Sequence, residues 1–83
     1  MKILYFAWLR QKTGIDSEDI VVPESVSDVA GLINWLKERN EKFEDALSDF
    51  QSIRVAVNHE FAEFDAPVAQ GDEVAIFPPM TGG

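Results

Sequence analysis

Eighty-three residues suffice for one domain, and an apolar fraction of 46% with no cysteine excludes a disordered chain, a disulfide-stapled one and chemistry on a thiol of its own. A formal charge of −8 at pH 7 sets the chain against the phosphate backbone of nucleic acid, so no nucleic-acid partner is expected and a basic protein surface is the better match. Apolar runs such as Ile3 to Leu9 are too short to span a bilayer, and the one after Lys2 breaks at Arg10-Gln11-Lys12 without a cleavage site. These features predict a cytoplasmic protein with no membrane contact.

In chain order, Lys2 to Leu9 predicts a β-strand that ends over Arg10 to Thr13 before the turn residue Gly14. A second strand is expected at Asp19 to Val22, stopped by Pro23. Ser27 offers an N-cap for a helix whose Val29, Leu32, Ile33 and Leu36 recur at i, i+3, i+4 and i+7 and which should end near Asn40. Trp35 lies at the flank of that stripe and reads as core edge. Gly31, on the polar side, costs about 1 kcal/mol relative to alanine and has no reason visible in the sequence. A shorter helical piece is expected over Phe43 to Leu47, within an acidic stretch (Glu41, Glu44, Asp45, Asp49) that reads as a solvated face. Ile53, Val55 and Val57 alternate with Arg54, Ala56 and Asn58, the period of a strand with one buried face. Asn58-His59-Glu60 then turns into Phe61 to Phe64, Ala69 to Asp72 makes another turn, and Glu73 to Phe77 is the last strand.

The order ββα, short helix, βββ suits an α+β, ubiquitin-like β-grasp fold: one mixed sheet with one face covered by the main helix. Residues 1–77 form that domain and residues 78–83 an extended tail. One helix covers one sheet face, so strand parity tells which side chains remain on the other. Val74 and Ile76 share a face, and Phe77 takes the opposite one. With Ile3, Tyr5 and Ala7 toward the helix, Leu4, Phe6 and Trp8 join Phe77 on the open side, the pattern of a partner-binding surface. No phosphate-binding glycine loop, Ser/His/Asp set or paired-carboxylate cleft can be assembled, and His59 without cysteine or a second histidine reads as a turn residue. Neither a bound cofactor nor a metal is expected.

The remaining signal is the end of the chain, Phe77-Pro78-Pro79-Met80-Thr81-Gly82-Gly83. Glycine is about 7% of ordinary sequence, so a chance Gly-Gly terminus has a frequency of roughly 0.5%. Pro78 and Pro79 hold the backbone extended and project the last residues away from the final strand. Gly82 and Gly83, lacking Cβ atoms, fit a narrow channel and adopt the φ it demands. From Pro78 onward the tail spans at most about 20 Å, enough to carry the Gly83 carboxylate into another protein's active site.

Tyr5-Phe6-Ala7-Trp8-Leu9-Arg10 is similar to an F-F-A-x-x-R segment, Val55-Ala56-Val57-Asn58 to an A-V-N segment, and Gly71 to Gly83 to a G-D-E-V-A-x-F-P-P-V-[ST]-G-G ending. On these residues the chain resembles the family of molybdopterin synthase small subunits, the molybdopterin-converting factor subunit 1, over its whole length. Met80 departs from it where a β-branched residue is usual, and Phe61 where leucine is common. The resemblance implies a sulfur carrier that is no enzyme on its own. Gly83, with Gly82 before it, would be adenylated by a ubiquitin-activating-like adenylyltransferase that uses ATP and then converted to a thiocarboxylate. That group would donate sulfur to cyclic pyranopterin monophosphate within a complex of two small and two large catalytic subunits. The expected partner interface comprises Phe77, Pro78, Pro79, Met80, Thr81 and Phe61, with Phe6 beside them and Arg10 at the rim; of these the resemblance supports Phe61, Phe77 and Arg10 at matching positions. Two other carriers of a Gly-Gly end stand as alternatives: a thiamine-pathway sulfur carrier, usually shorter and without Phe-Pro-Pro, and a ubiquitin-like modifier joined to lysines through Gly83.

Overall fold

The computed structural model describes residues 1–79. Five strands form one mixed sheet: β1 (Lys2–Tyr5), β2 (Ser17–Asp19), β3 (Arg54–Val57), β4 (Glu60–Ala62) and β5 (Glu73–Phe77), in the order β2-β1-β5-β3-β4. The central pair, β1 and β5, is parallel; β1–β2, β3–β5 and β3–β4 are antiparallel. Three helices, α1 (Trp8–Thr13), α2 (Val29–Lys37) and α3 (Glu41–Leu47), and a 3₁₀ turn at Phe50–Ser52 complete the element order. This is the α+β β-grasp architecture expected from the element order.

The core arises from the two periodicities. Val29, Leu32, Ile33 and Leu36 of α2 join Ile3 and Tyr5 of β1, Val55 of β3, and Val74 and Ile76 of β5 in one buried cluster. Phe43 and Leu47 extend it from α3, and the Phe43 ring stands 5.8 Å from that of Tyr5. Trp35 is half-buried against the cluster, as its flank position predicts.

Several boundaries differ from the expectations. The first strand stops at Tyr5, and Trp8 to Leu9 begin a helix instead of continuing it. Ala7 is the break: its φ of 56° and ψ of −133° lie where residues with a Cβ rarely go, and the turn lets Leu9 and Thr13, one helical turn apart, bury together. Ala7 is therefore exposed and does not face the helix, while Trp8 leaves the open sheet face and packs half-buried beside Lys12. Gly14 closes α1 at φ 83°, its N–H donating to the Arg10 carbonyl. The second strand lies earlier than expected, at Ser17–Asp19 in place of 19–22, because the ladder to β1 closes with the paired Met1 and Ile20 backbones.

Asp28, not Ser27, caps α2; its Oδ1 accepts from the Gly31 N–H at 2.7 Å. A Cβ on residue 31 would stand 2.9 Å from that oxygen, which supplies the reason for Gly31 that the sequence lacked. The helix ends at Lys37 rather than near Asn40, since Asn40 is used to cap α3, accepting from the Phe43 N–H at 3.1 Å. Asn58 and His59 both have positive φ, 51° and 72°, so a two-residue turn matching the strand twist joins β3 to β4. The fourth strand therefore starts at Glu60 and ends at Ala62, and Phe64 falls in the turn beyond it.

Candidate functional site: the open sheet face

The face of the sheet opposite the core is assembled by register. Leu4 pairs with Ala75, Ala75 with Ala56 and Ala56 with Phe61, so one row of side chains crosses four strands. One step along, Phe77 pairs with Arg54, and the Phe6 N–H donates to the Ile76 carbonyl at 3.1 Å, extending the β1–β5 ladder so that Phe6 flanks Phe77. Two alanines in the middle of the row leave a shallow floor between the aromatic side chains. Phe61 is 83% exposed and Phe6 46%, and the Phe61 and Phe77 rings face each other across β3 at 5.8 Å. Large apolar side chains left open in this number on one face mark a contact surface rather than scattered exposure.

Of the residues singled out from the sequence, the sheet thus brings Phe6, Phe61 and Phe77 together on one face. Pro78 and Pro79 come directly after Phe77 and are half-buried. Arg10 stands apart from them, on exposed α1, where it lines a shallow depression with Gly14, Asp16 and Ser17. Met80, Thr81, Gly82 and Gly83 lie outside the described residues. His59 sits at its hairpin turn with Nε2 3.2 Å from the Glu73 carboxylate. No helix among the described residues is long and apolar enough to cross a membrane.

Two groups were not legible in the sequence. Phe50 and Phe64 stack at 4.8 Å and, with Gln51, Arg54, Phe61 and Phe77, line a groove of about 840 Å³ beside the end of β5. Arg54 was visible in the alternation of β3, on the open side; Phe50, in a 3₁₀ turn, carried no periodic signal, and Phe64, expected at the end of a strand, lies in the turn beyond β4. The other group lies away from the open face. The Tyr5 hydroxyl donates to Glu18 Oε2 at 2.8 Å, and Arg39 donates to both Glu18 oxygens at 2.7 and 2.8 Å. Burial works to raise the Glu18 pKa, but the hydrogen bonds from Arg39 and Tyr5 outweigh it and hold the carboxyl below its ordinary range. Burial, then the bond to Glu18, pushes the Tyr5 phenol up. The Arg39 guanidinium also stacks over Phe43, 4.8 Å from its ring centroid, so this cluster braces β2 against the link between α2 and α3.

The sequence pattern of the ThiS family matches residues 3–83. The chain belongs to the ThiS family. It is 35% identical over 83 residues to the molybdopterin synthase sulfur carrier subunit of Escherichia coli strain K12, covering 100% of this chain and 99% of that protein. Among solved structures, the putative molybdopterin converting factor subunit 1 of Pyrococcus furiosus superposes with a TM-score of 0.75 at 36% identity, over 95% of each chain. Small archaeal modifier protein 1 of Haloferax volcanii gives a TM-score of 0.77 at 27% identity, over 96% of this chain and 97% of that one. The open face of this ThiS family member therefore sits on a fold shared with a putative molybdopterin converting factor subunit and with a small archaeal modifier protein.

Proposed function

We propose that the chain is the sulfur-carrier subunit of a molybdopterin synthase, with residues 1–77 as the docking domain and 78–83 as the reactive arm. The observation that carries this reading is the similarity to the E. coli sulfur carrier subunit, 35% identical over 100% of this chain and 99% of that protein. The placement of the open aromatic face at the point where β5 hands over to Pro78 and Pro79 supports it.

The chemistry starts from the acid at Gly83. A carboxylate resists nucleophiles, so an adenylyltransferase of the ubiquitin-activating kind first joins it to the α-phosphorus of ATP with loss of pyrophosphate. A sulfur nucleophile then displaces the adenylate. The thiocarboxylate left on Gly83 is ionised and nucleophilic at neutral pH, as thiolates are. Held in the large subunit, its sulfur bonds to a side-chain carbon of cyclic pyranopterin monophosphate in place of an oxygen substituent; water then cleaves the resulting thioester, leaving the sulfur on the pterin and the carboxylate on Gly83, and two such rounds build the dithiolene. The small subunit contributes the reagent and the docking face, while the large subunit supplies the catalytic groups, in an assembly of two copies of each.

The likeness to the archaeal modifier favours a second reading, in which activated Gly83 is joined to lysine amines instead. An intact mass of the protein purified from its own host separates the two. An exchange of one oxygen for sulfur supports the carrier, and adducts of whole proteins support the modifier. Removal of Gly83 should abolish either product without moving the denaturation midpoint; molybdopterin formation by that variant in a reconstituted assay would overturn the carrier reading.

A further inference from the structure

The groove beside the end of β5 has a chemistry at odds with the rest of the molecule. Its walls are two aromatic pairs, Phe50 with Phe64 and Phe61 with Phe77. Arg54 lies between them on β3, directly opposite Phe77 in register. In a chain of net charge −8, a second cation also approaches this site: Lys37 Nζ stands 5.9 Å from the Phe50 ring centroid. Arg54 is held in place by the backbone, its Nη1 donating to the carbonyls of Gln51 at 3.2 Å and Ile53 at 2.7 Å. Among the described residues no carboxylate is within ion-pair distance of it. Glu63 contributes the one carboxylate of the lining and makes no ion pair with Arg54. A guanidinium has five N–H donors, so an oriented Arg54 keeps Nε and Nη2 for an incoming acceptor.

We infer that this groove receives a segment of the large subunit in which an acidic side chain, paired with Arg54, sits next to an apolar one seated against Phe50 and Phe64. The inference rests on the reading of the chain as a molybdopterin synthase small subunit, and it adds the chemistry of the partner's contact segment. Charge complementarity selects the acid, since Arg54 is a prepositioned cation whose carbonyl partners leave its charge uncompensated. Continuity narrows the occupant to a protein that takes in the tail, since Pro78 follows Phe77 directly; of the two that act on Gly83 in the proposed function, the large subunit is the one held in a standing assembly with this chain. The groove volume is that of a site for a few side chains rather than a whole helix. An aromatic pocket beside an arginine, desolvated once a partner covers it, is also the composition in which binding energy concentrates at interfaces.

The test is calorimetric titration of the full-length protein against the large subunit of the same host, at low and high salt. Arg54→Glu should weaken binding by about tenfold or more and flatten its salt dependence, Arg54→Lys should recover part of the loss, and Phe50→Ala should weaken binding at both salt concentrations. The charge-matched Lys42→Glu, on exposed α3 away from the groove, should bind like the unaltered protein. Denaturation curves of each free variant keep loss of fold apart from loss of contact. Equal affinity of Arg54→Glu and the unaltered chain overturns the inference while the sulfur-carrier reading stands on its mass measurement. Failure of the unaltered chain to bind the large subunit overturns both. If truncation after Pro79 shifts the NMR signals of Arg54 and Phe64 in the free protein, the groove holds its own tail and the inference falls. It falls equally if Arg54→Glu abolishes a concentration-dependent dimer.

Discussion

Ala7 shows how much one residue can redirect. A φ of 56° with ψ of −133° costs a residue bearing a Cβ roughly 1–3 kcal/mol, yet the turn it makes ends β1, starts α1 and leaves Phe6 exposed beside β5. Ala7→Gly relieves that strain at an entropic cost of under about 1 kcal/mol, so the variant should be more stable by about 1 kcal/mol in urea denaturation. A lower midpoint would show that the turn is not strained. Glu18 is the second decisive residue. Its folded pKa is held below the ordinary value of 4.5 once the bonds from Arg39 and Tyr5 have outweighed burial. The unfolded chain thus takes up this proton first as pH falls. The stabilisation is complete above pH 4.5 and is lost as pH drops through the lower folded value. Glu18→Gln should lower stability at neutral pH and show a shallower decline below pH 4.5 than the unaltered chain. Parallel declines, measured as midpoints against pH, would remove Glu18 from the acid response.

At the scale of elements, α2 couples its cap to its composition. Asp28 accepts from the Gly31 N–H, and a Cβ at position 31 would push into the accepting oxygen. The usual gain of about 1 kcal/mol from replacing a helical glycine by alanine is then offset by loss of a cap worth about the same. Gly31→Ala should therefore leave stability near that of the unaltered chain, while the same change in an Asp28→Ala background should stabilise by about 1 kcal/mol. Additive effects in this double-mutant cycle would refute the coupling. The acidic α3 behaves as a solvated face, with Glu41, Glu44 and Asp45 exposed, and Asp45 meeting Lys12 of α1 at 3.1 Å. Such an exposed pair contributes little. The packing of α3 comes instead from Phe43, Ala46 and Leu47, all buried.

Across the whole molecule, the sheet separates stability from contact. Val74 and Ile76 are fully buried on one side of β5, and Phe77 is half-buried on the other, against Phe61. Phe77→Ala should cost less than the roughly 3–5 kcal/mol of a phenylalanine truncated within a core. Its affinity for the large subunit should nevertheless fall by about thirtyfold. Titration and denaturation of the same variant distinguish these effects; a core-sized loss of stability would place Phe77 with the core instead of the contact face.

The features that the sequence determined by itself are those that repeat over short spans or are written in single residues. The apolar stripe of α2, the alternation of β3 and β5, and hence the sides on which Val55, Ile76, Arg54 and Phe77 stand, come from periods of 3.6 and 2. The tail's composition, two prolines and two glycines, is equally explicit. The extent of β1 was not legible, because Trp8 and Leu9 suit a strand as well as a helix by propensity and the turn at Ala7 exists only through the packing of Leu9 and Thr13. The place of β2 depended on its ladder with β1, and the cap of α2 on which of two adjacent side chains reached the Gly31 N–H. Tertiary structure alone decided the groove, where residues from a 3₁₀ turn, three strands and a loop converge, and the Tyr5–Glu18–Arg39 cluster, where Glu18 and Arg39 are 21 positions apart. Those groups have no local period to announce them: they become neighbours only after the sheet has set its strand order.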